Sequence, residues 1–133
     1  DLSPNQPLIL NYLGYSLVEK NKKLEEARKM IEKAVAARPN SGFIIDSLGW
    51  SLFTLGKFED AIQPMERAVE LMPDDPIVND HLGDVYWKVG RKREAKFQWR
   101  RAISFDPEEK ELVRIRKKLE VGLDEVQAQE KKK

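Results

Sequence analysis

The chain has 133 residues, of which 24 are basic and 23 acidic, so its net charge is +1. This balance gives no electrostatic reason to expect nucleic acid or an anionic membrane as a partner. Cysteine is absent, which excludes disulfides, thiolate nucleophiles and thiolate metal sites. No run approaches the roughly 18 apolar residues of a membrane span.

Prolines recur along the chain at Pro4, Pro39, Pro73 and Pro107, spaced 35, 34 and 34 residues apart. A fixed period of about 34 residues predicts an all-α array of helical hairpins. The predicted order is the end of a truncated preceding repeat (1–6), three hairpins (7–40, 41–75 and 76–109), a capping helix (110–122) and a polar tail (123–133).

The first residues, Asp1 to Pro4, match the end of a repeat, Glu70 to Pro73. A natural start would not normally supply the last residues of a repeat whose body is missing. We therefore expect this chain to be a fragment of a larger protein with further repeats upstream.

The first helix of each hairpin carries one apolar stripe and ends at a turn residue. Leu48, Leu52 and Leu55 are spaced i, i+4, i+7, as one buried helical face requires. Gly56 and Gly90 are predicted C-caps, because glycine adopts the left-handed conformation at little cost. In the first hairpin Asn21 takes the place of that glycine.

The second helices carry the other half of each predicted core, and prolines follow their ends because proline cannot continue a helix. Pro64 inside one of these helices is a candidate site for a kink. Small residues mark the closest approach of the paired helices, and they are Gly49, Ala61, Gly83 and Ala95. The predicted apolar stripes are Ala61, Met65, Ala68 and Val69, and Ala95, Trp99, Ala102 and Ile103.

After Pro107, Leu112, Ile115 and Leu119 fall on one face of an amphipathic helix. This helix is predicted to cover the last hairpin, since an array otherwise leaves its final stacking surface wet. Gly122 is predicted to end the helix, and the polar tail after it is expected to be frayed or disordered.

Residues at matched offsets resemble the tetratricopeptide repeat (TPR) family. The carrying residues are Leu48-Gly49, Leu52, Gly56, Ala61, Ala68 and Pro73, and in the next unit Leu82-Gly83, Tyr86, Gly90, Ala95, Ala102 and Pro107. The resemblance implies a right-handed α-solenoid of three TPR hairpins plus a C-terminal capping helix. Strings such as Asn11-Tyr12-Leu13-Gly14-Tyr15 are more loosely similar to repeats of larger bacterial proteins, some of them envelope lipoproteins.

In the family, the first helices of the hairpins line a concave groove that binds peptides or partner helices. Carried over, the expected groove residues are Asn11, Tyr15, Phe43, Asp46, Trp50, Phe53, Asp80, Asp84 and Trp87, flanked by Leu8, Val18 and Ile77. Exposed aromatic side chains there would be binding anchors. The alternative is that Trp50, Phe53 and Trp87 pack against neighbouring hairpins.

Asp46 and Asp80 share one repeat offset, and Asp84 follows one turn later. Side by side they would form an acidic strip for a basic peptide, or else an ordinary solvated face. Family clamps for a C-terminal carboxylate use Lys, Arg and Asn, and only Asn11 fits in the three hairpins. Such a clamp is therefore disfavoured.

The single histidine, His81, is expected to be a surface residue rather than a metal ligand or a base, because a metal site needs several converging ligands. No hydrolytic triad can be assembled at matched spacing, so no enzyme activity and no cofactor are expected. The basic clusters alternate with glutamates, as on ordinary exposed helices.

The sequence therefore favours a non-enzymatic scaffold that binds protein or peptide. The alternative is a structural segment that positions flanking domains or forms homo-oligomers through exposed repeat ends. No nucleic acid and no direct membrane insertion are expected. The compartment stays open: cell envelope or periplasm if the parent is a lipoprotein, otherwise cytoplasm.

Overall fold

The computed structural model describes residues 5–132, and every regular element in that range is an α-helix. The expectation that residues 1–4 end a preceding repeat lies outside the described residues. The described helices fall into two compact units, Asp1–Met72 and Pro73–Lys133. The first contains α1 (Gln6–Glu19), α2 (Leu24–Ala37), α3 (Gly42–Thr54) and α4 (Phe58–Leu71). The second contains α5 (Pro76–Lys88), α6 (Lys92–Ser104), α7 (Glu109–Val121) and α8 (Leu123–Lys131).

Capping residues define where the helices begin and end, and the predicted ones are those at the helix ends. Gly56 and Gly90 have φ angles of +81° and +88°, and Asn21 takes the same left-handed region at +55°. The side chains of Ser41 and Asp75 accept hydrogen bonds from the third residue of α3 and of α5, which satisfies one free N–H at each helix start.

Consecutive helices pack as hairpins around small residues. A Cβ on Gly14, Gly49 or Gly83 would lie 2.7, 2.6 or 2.5 Å from the facing side chain of the second helix, so the absence of a side chain allows the close approach there. The facing side chains and their flanking alanines are fully buried: Ala27, Ile31 and Ala34; Ala61, Met65 and Ala68; Ala95, Trp99 and Ala102. The predicted hairpin cores are confirmed, although Val69 and Ile103 are only half-buried.

Helix α4 runs through Pro64 without a break in the helix assignment. In the second unit α7 packs against α6, with Ile115 buried, and it ends at Gly122 with φ +88°. Together with the three hairpins this confirms the predicted all-α class with a capping helix after the last hairpin.

The expectation of a frayed tail is wrong for residues 123–131, which form α8. Leu123 and Val126 are spaced i, i+3 and both are buried. These two side chains give the short helix one apolar face, and burying that face holds α8 in place.

Candidate functional site

The outermost predicted residues share one repeat offset and are exposed. Leu8, Phe43 and Ile77 keep 46%, 59% and 50% of their surface accessible. Within the first unit α1 and α3 contact each other, so Leu8 and Phe43 stand on neighbouring helices. Exposed large apolar side chains on adjacent helices are what a protein-binding surface offers.

The predicted residues at the next repeat offset are buried in all three hairpins, and they are Asn11, Asp46 and Asp80. The expectation of exposed carboxylates, whether as an acidic strip or as a solvated face, is therefore wrong for Asp46 and Asp80. For Asp80 the cause is direct: its Oδ1 accepts a hydrogen bond of 2.8 Å from Lys118 Nζ on α7.

Four aromatic side chains from the predicted set differ in exposure. Trp50 and Tyr15 are half-buried, and Trp50 packs against the core cluster of Val18, Ala27 and Ile31 in the first hairpin. Phe53 is buried, with its ring stacked on that of Trp50 at a centroid distance of 4.5 Å. Trp87 is half-buried, with its ring 5.5 Å from that of Trp99. Intramolecular packing therefore engages Trp50, Phe53 and Trp87.

The predicted residue Asp84 lies at the centre of a buried polar network in the second unit. Its Oδ1 accepts hydrogen bonds from Trp99 Nε1 at 3.0 Å and from Lys118 Nζ at 2.8 Å. Because Lys118 also binds Asp80, one ammonium group serves two carboxylates. Lys118 itself is fully buried, which long cationic side chains almost never are unless paired.

Burial raises the pKa of the Asp84 carboxyl, and the neighbouring Asp80 raises it further, while Lys118 opposes both effects. Burial alone would lower the pKa of Lys118, but attraction to Asp84 and Asp80 outweighs it, so the Lys118 pKa is raised. The ammonium therefore stays charged at neutral pH and holds the two acidic groups together.

A second set of contacts joins α8 to the rest of its unit. Asp124 accepts hydrogen bonds from Trp87 Nε1 at 3.1 Å and from Lys88 Nζ at 2.6 Å. Arg114 on α7 donates two hydrogen bonds to Glu130, of 2.7 and 3.1 Å. The sequence prediction named Lys118 only as positive charge at one end of the array, and it assigned no role to Asp124 or Glu130. The one local signal was the spacing of Leu123 and Val126, which suits a buried helical face.

The contacts of Asp84, Lys118, Asp124 and Glu130 serve packing and charge neutralisation. The expectation of a surface histidine is wrong, since His81 is buried along with Ser47, which has the same offset one repeat earlier.

The described residues contain no group of three or more His, Asp or Glu side chains that could hold a metal ion. Between residues 5 and 132 no helix has both the length and the apolar character needed to cross a membrane.

The fold and its periodic glycine contacts define a helical-hairpin repeat protein. The sequence model described as "Tetratricopeptide repeat" matches residues 10–41, 46–75 and 78–109, which is more than half of the chain. The chain belongs to the tetratricopeptide repeat family.

Among curated proteins, a TPR repeat-containing protein of Pseudomonas aeruginosa is 39% identical to this chain over 54 residues. The match covers 41% of this chain and 9% of the Pseudomonas protein, so the chain corresponds to a small part of that protein's length.

Two solved structures share the fold across most of the chain. One is PcrH in complex with the chaperone binding region of PopB, with a TM-score of 0.76 and 19% identity over 86% of this chain and 94% of that one. The other is the first TPR of Spaghetti (RPAP3) bound to the HSP90 peptide SRMEEVD, with a TM-score of 0.73 and 22% identity over 89% and 96% of the two chains. At these identities the likeness shows the fold alone.

Proposed function

We propose that the chain is a non-enzymatic protein-interaction module that binds a peptide or a partner helix through exposed apolar side chains on the first helices of its hairpins. The observation that carries the proposal is the exposure of Leu8 and Phe43 on the adjacent helices α1 and α3. Large apolar residues gain affinity when a partner removes them from water. Two proteins of the same fold hold protein segments, PopB and the HSP90 peptide.

The occupant should be neutral or basic rather than an acidic C-terminus of the HSP90 type. The family's carboxylate clamps need cations on the first helices, and this chain places Asp46 and Asp80 at the relevant offset. Asn11, the one residue that fits, is buried. Since Asp46 is also nearly inaccessible, the apolar side chains supply most of the affinity, and polar selection is secondary.

The test is selection of binders from a random peptide library displayed on phage, followed by affinity measurement on variants. Phe43→Ala should weaken the selected peptides by about tenfold or more, as expected for a hot-spot aromatic. The matched control is Val113→Ala on α7, which changes an equally exposed apolar residue in the other unit. The proposal would be contradicted if the selected peptides bound the Leu8→Ala and Phe43→Ala variants as tightly as the wild-type chain.

A second candidate function, self-association, is favoured by an adjoining face of α1. Ile9, Tyr12 and Leu13 are exposed there, with Tyr12 73% accessible. Ile44 and Ser47, which follow Ile9 and Tyr12 by one repeat, are buried, and Leu48, which follows Leu13, is half-buried. A face that is buried in one hairpin and open in the preceding one suits docking of a further helical element, such as a second copy.

Light scattering after gel filtration tests self-association. A dimer that the variant Tyr12→Lys converts to monomer, while Val113→Lys leaves it intact, would support it. A monomer at all accessible concentrations would exclude this candidate and leave the peptide-binding proposal unaffected.

A further inference from the structure

The C-terminal helix α8 is bound to its own unit in the manner of a docked peptide. It has nine residues and follows α7 through the single residue Gly122, whose φ is +88°. One carboxylate, Asp124, contacts α5, and another, Glu130, contacts α7. Between them Val126 is buried.

The surface beneath α8 has a definable chemistry. Leu123, Val126 and Glu130 are spaced i, i+3, i+7, so they fall on one helical face. At the start of the helix, the Trp87 indole N–H and the Lys88 ammonium together hold one carboxylate. At its end, the guanidinium of Arg114 holds a second carboxylate through two hydrogen bonds, the geometry in which arginine binds carboxylates best.

Basic charge surrounds this surface. Besides Lys88 and Arg114, Lys92 lies over the Trp87 ring at 4.7 Å from its centroid. These cations act on the helix they hold: the hydrogen bonds from Lys88 and Trp87 lower the pKa of Asp124. An acidic amphipathic helix therefore matches the surface in both charge and shape.

The attachment of α8 is light enough to be exchanged. Two side chains of the helix are buried, and an isolated helix of this length is not stable in water. The Asp124 and Glu130 side chains keep 67% and 46% of their surface accessible, so their ion pairs are screened and individually weak. Local opening is expected for segments with few buried contacts.

We propose that α5 and α7 form a docking surface for an acidic amphipathic helix of a partner protein, and that α8 occupies this surface in cis as a competitor. The partner helix would carry an acidic residue in its first turn, apolar residues spaced i, i+3, and a second acidic residue four positions after the last of them. The proposal rests on the proposed function as a protein-interaction module, but it assigns a different surface and a different ligand charge.

The probe is a fluorescein-labelled peptide of residues 122–132, added in trans to the full chain and followed by fluorescence anisotropy. Val126→Asp removes an apolar contact of α8 and should release the helix from its surface. The peptide should bind this variant at least about tenfold more tightly than the wild-type chain, because the tethered competitor is gone. The matched control is Ala128→Asp, which adds the same charge at an exposed position of α8 and should bind like wild type.

The charge pattern gives an independent readout. A peptide with Asp124→Lys should lose about tenfold in affinity for the Val126→Asp chain. Adding Lys88→Glu to that chain should restore binding of the reversed peptide, since the pair is then opposite in charge again. Equal binding to the wild-type and Val126→Asp chains, or indifference to the reversed charge, would overturn the proposal.

Hydrogen exchange on the wild-type chain covers the case in which Val126→Asp fails to fold. Saturating peptide should speed exchange of the α8 amides, because the peptide displaces the helix, and unchanged exchange would overturn the proposal. Phe43→Ala separates this surface from the one on α1 and α3. It should leave binding of the α8 peptide unchanged while weakening the phage-selected peptides.

Discussion

The second and third hairpins share one sequence frame but close their helix contacts with different side chains. In the second hairpin Gly49 faces the thioether of Met65, and Trp50 packs against apolar core residues. In the third hairpin, Trp99 occupies the repeat position that Met65 occupies in the second, and Asp84 occupies the repeat position of Trp50. The second hairpin places a thioether against its glycine, whereas the third buries an indole N–H that needs an acceptor.

Satisfying the buried indole N–H of Trp99 involves side chains from three helices. Trp99 on α6 donates to Asp84 on α5, and the buried Asp84 carboxylate in turn requires a cation. Lys118 supplies that cation from α7 and holds Asp80 as well. The comparison teaches that replacing one thioether by an indole turns a local packing choice into a network that ties the capping helix to the last hairpin.

Removing the Lys118 cation should break the buried polar network, and it should cause the largest loss of stability among the variants compared. Lys118→Met leaves two buried carboxylates without their partner, which typically costs 3–5 kcal/mol. Urea unfolding of the second unit, followed through the indole N–H resonance of Trp99, measures the loss. Lys117→Met is the control, because Lys117 is exposed and its change should stay within about 0.5 kcal/mol.

The stability of the same variant should depend more strongly on pH than that of the wild-type chain. The pKa of Asp84 is already raised by burial, and losing Lys118 removes an interaction that lowers it. A carboxyl with a raised pKa in the folded state binds its proton more tightly there than in the unfolded chain. Its contribution to stability is therefore present in acid and lost as pH rises. The deficit of Lys118→Met should shrink on acidification, and a deficit under about 1 kcal/mol at neutral pH would show that the network contributes little.

The glycine contacts sharpen the comparison at matched positions. In Gly83→Ala the new Cβ would meet the Trp99 ring at 2.5 Å and the Ala95 carbonyl oxygen at 3.1 Å, and neither can easily move. In Gly49→Ala it would meet Met65 Sδ at 2.6 Å, and a flexible thioether can turn away. Overpacking should cost Gly83→Ala about 1–3 kcal/mol.

Both variants gain about 1 kcal/mol of helix propensity, and in Gly49→Ala this gain offsets the smaller strain, so its net change should be small. Thermal unfolding of both variants, with the double mutant as a check of additivity, makes the measurement. Equal losses of stability in Gly49→Ala and Gly83→Ala would mean that the Met65 side chain yields no more easily than the Trp99 ring.

The hairpins were predictable because their signals are local and repeated. Gly56 and Gly90 mark turns, the alanines of α4 and α6 mark close contacts, and each pattern recurs after about 34 residues. The capping helix was predictable for the same reason, since Ile115 and its apolar neighbours fall on one face. A period identifies which helix face is apolar even when the neighbouring element is unknown.

The buried network had no local signal. Lys118 and Asp80 are 38 residues apart, and a lysine on an amphipathic helix ordinarily belongs to its solvated face. His81 was misplaced in the same way, since polarity alone predicts exposure whereas packing buries it. Helix α8 was predicted as a tail because its nine residues contain few apolar ones, and its stability comes from contacts with α5 and α7 rather than from its own sequence.

The last matched position compares Phe53 with Trp87, one repeat apart. Phe53 needs no acceptor, whereas the indole N–H of Trp87 is satisfied by Asp124 on α8. Asp124→Asn keeps an acceptor for the indole but removes the charge that faces Lys88. It should weaken α8 docking by about 0.5–1 kcal/mol, as for an exposed ion pair. Hydrogen exchange of the α8 amides measures the change, with Glu125→Gln as the control on the same helix.

Acid should reproduce the effect of Asp124→Asn in the wild-type chain. Since contacts with Lys88 and Trp87 lower the pKa of Asp124, its contribution to α8 docking is present above the ordinary aspartate value of about 3.9. That contribution is lost as pH falls below this value through the folded-state pKa. In Asp124→Asn this step should be absent from the exchange rates of α8. An identical acid response in both chains would assign the pH sensitivity of α8 to a group other than Asp124.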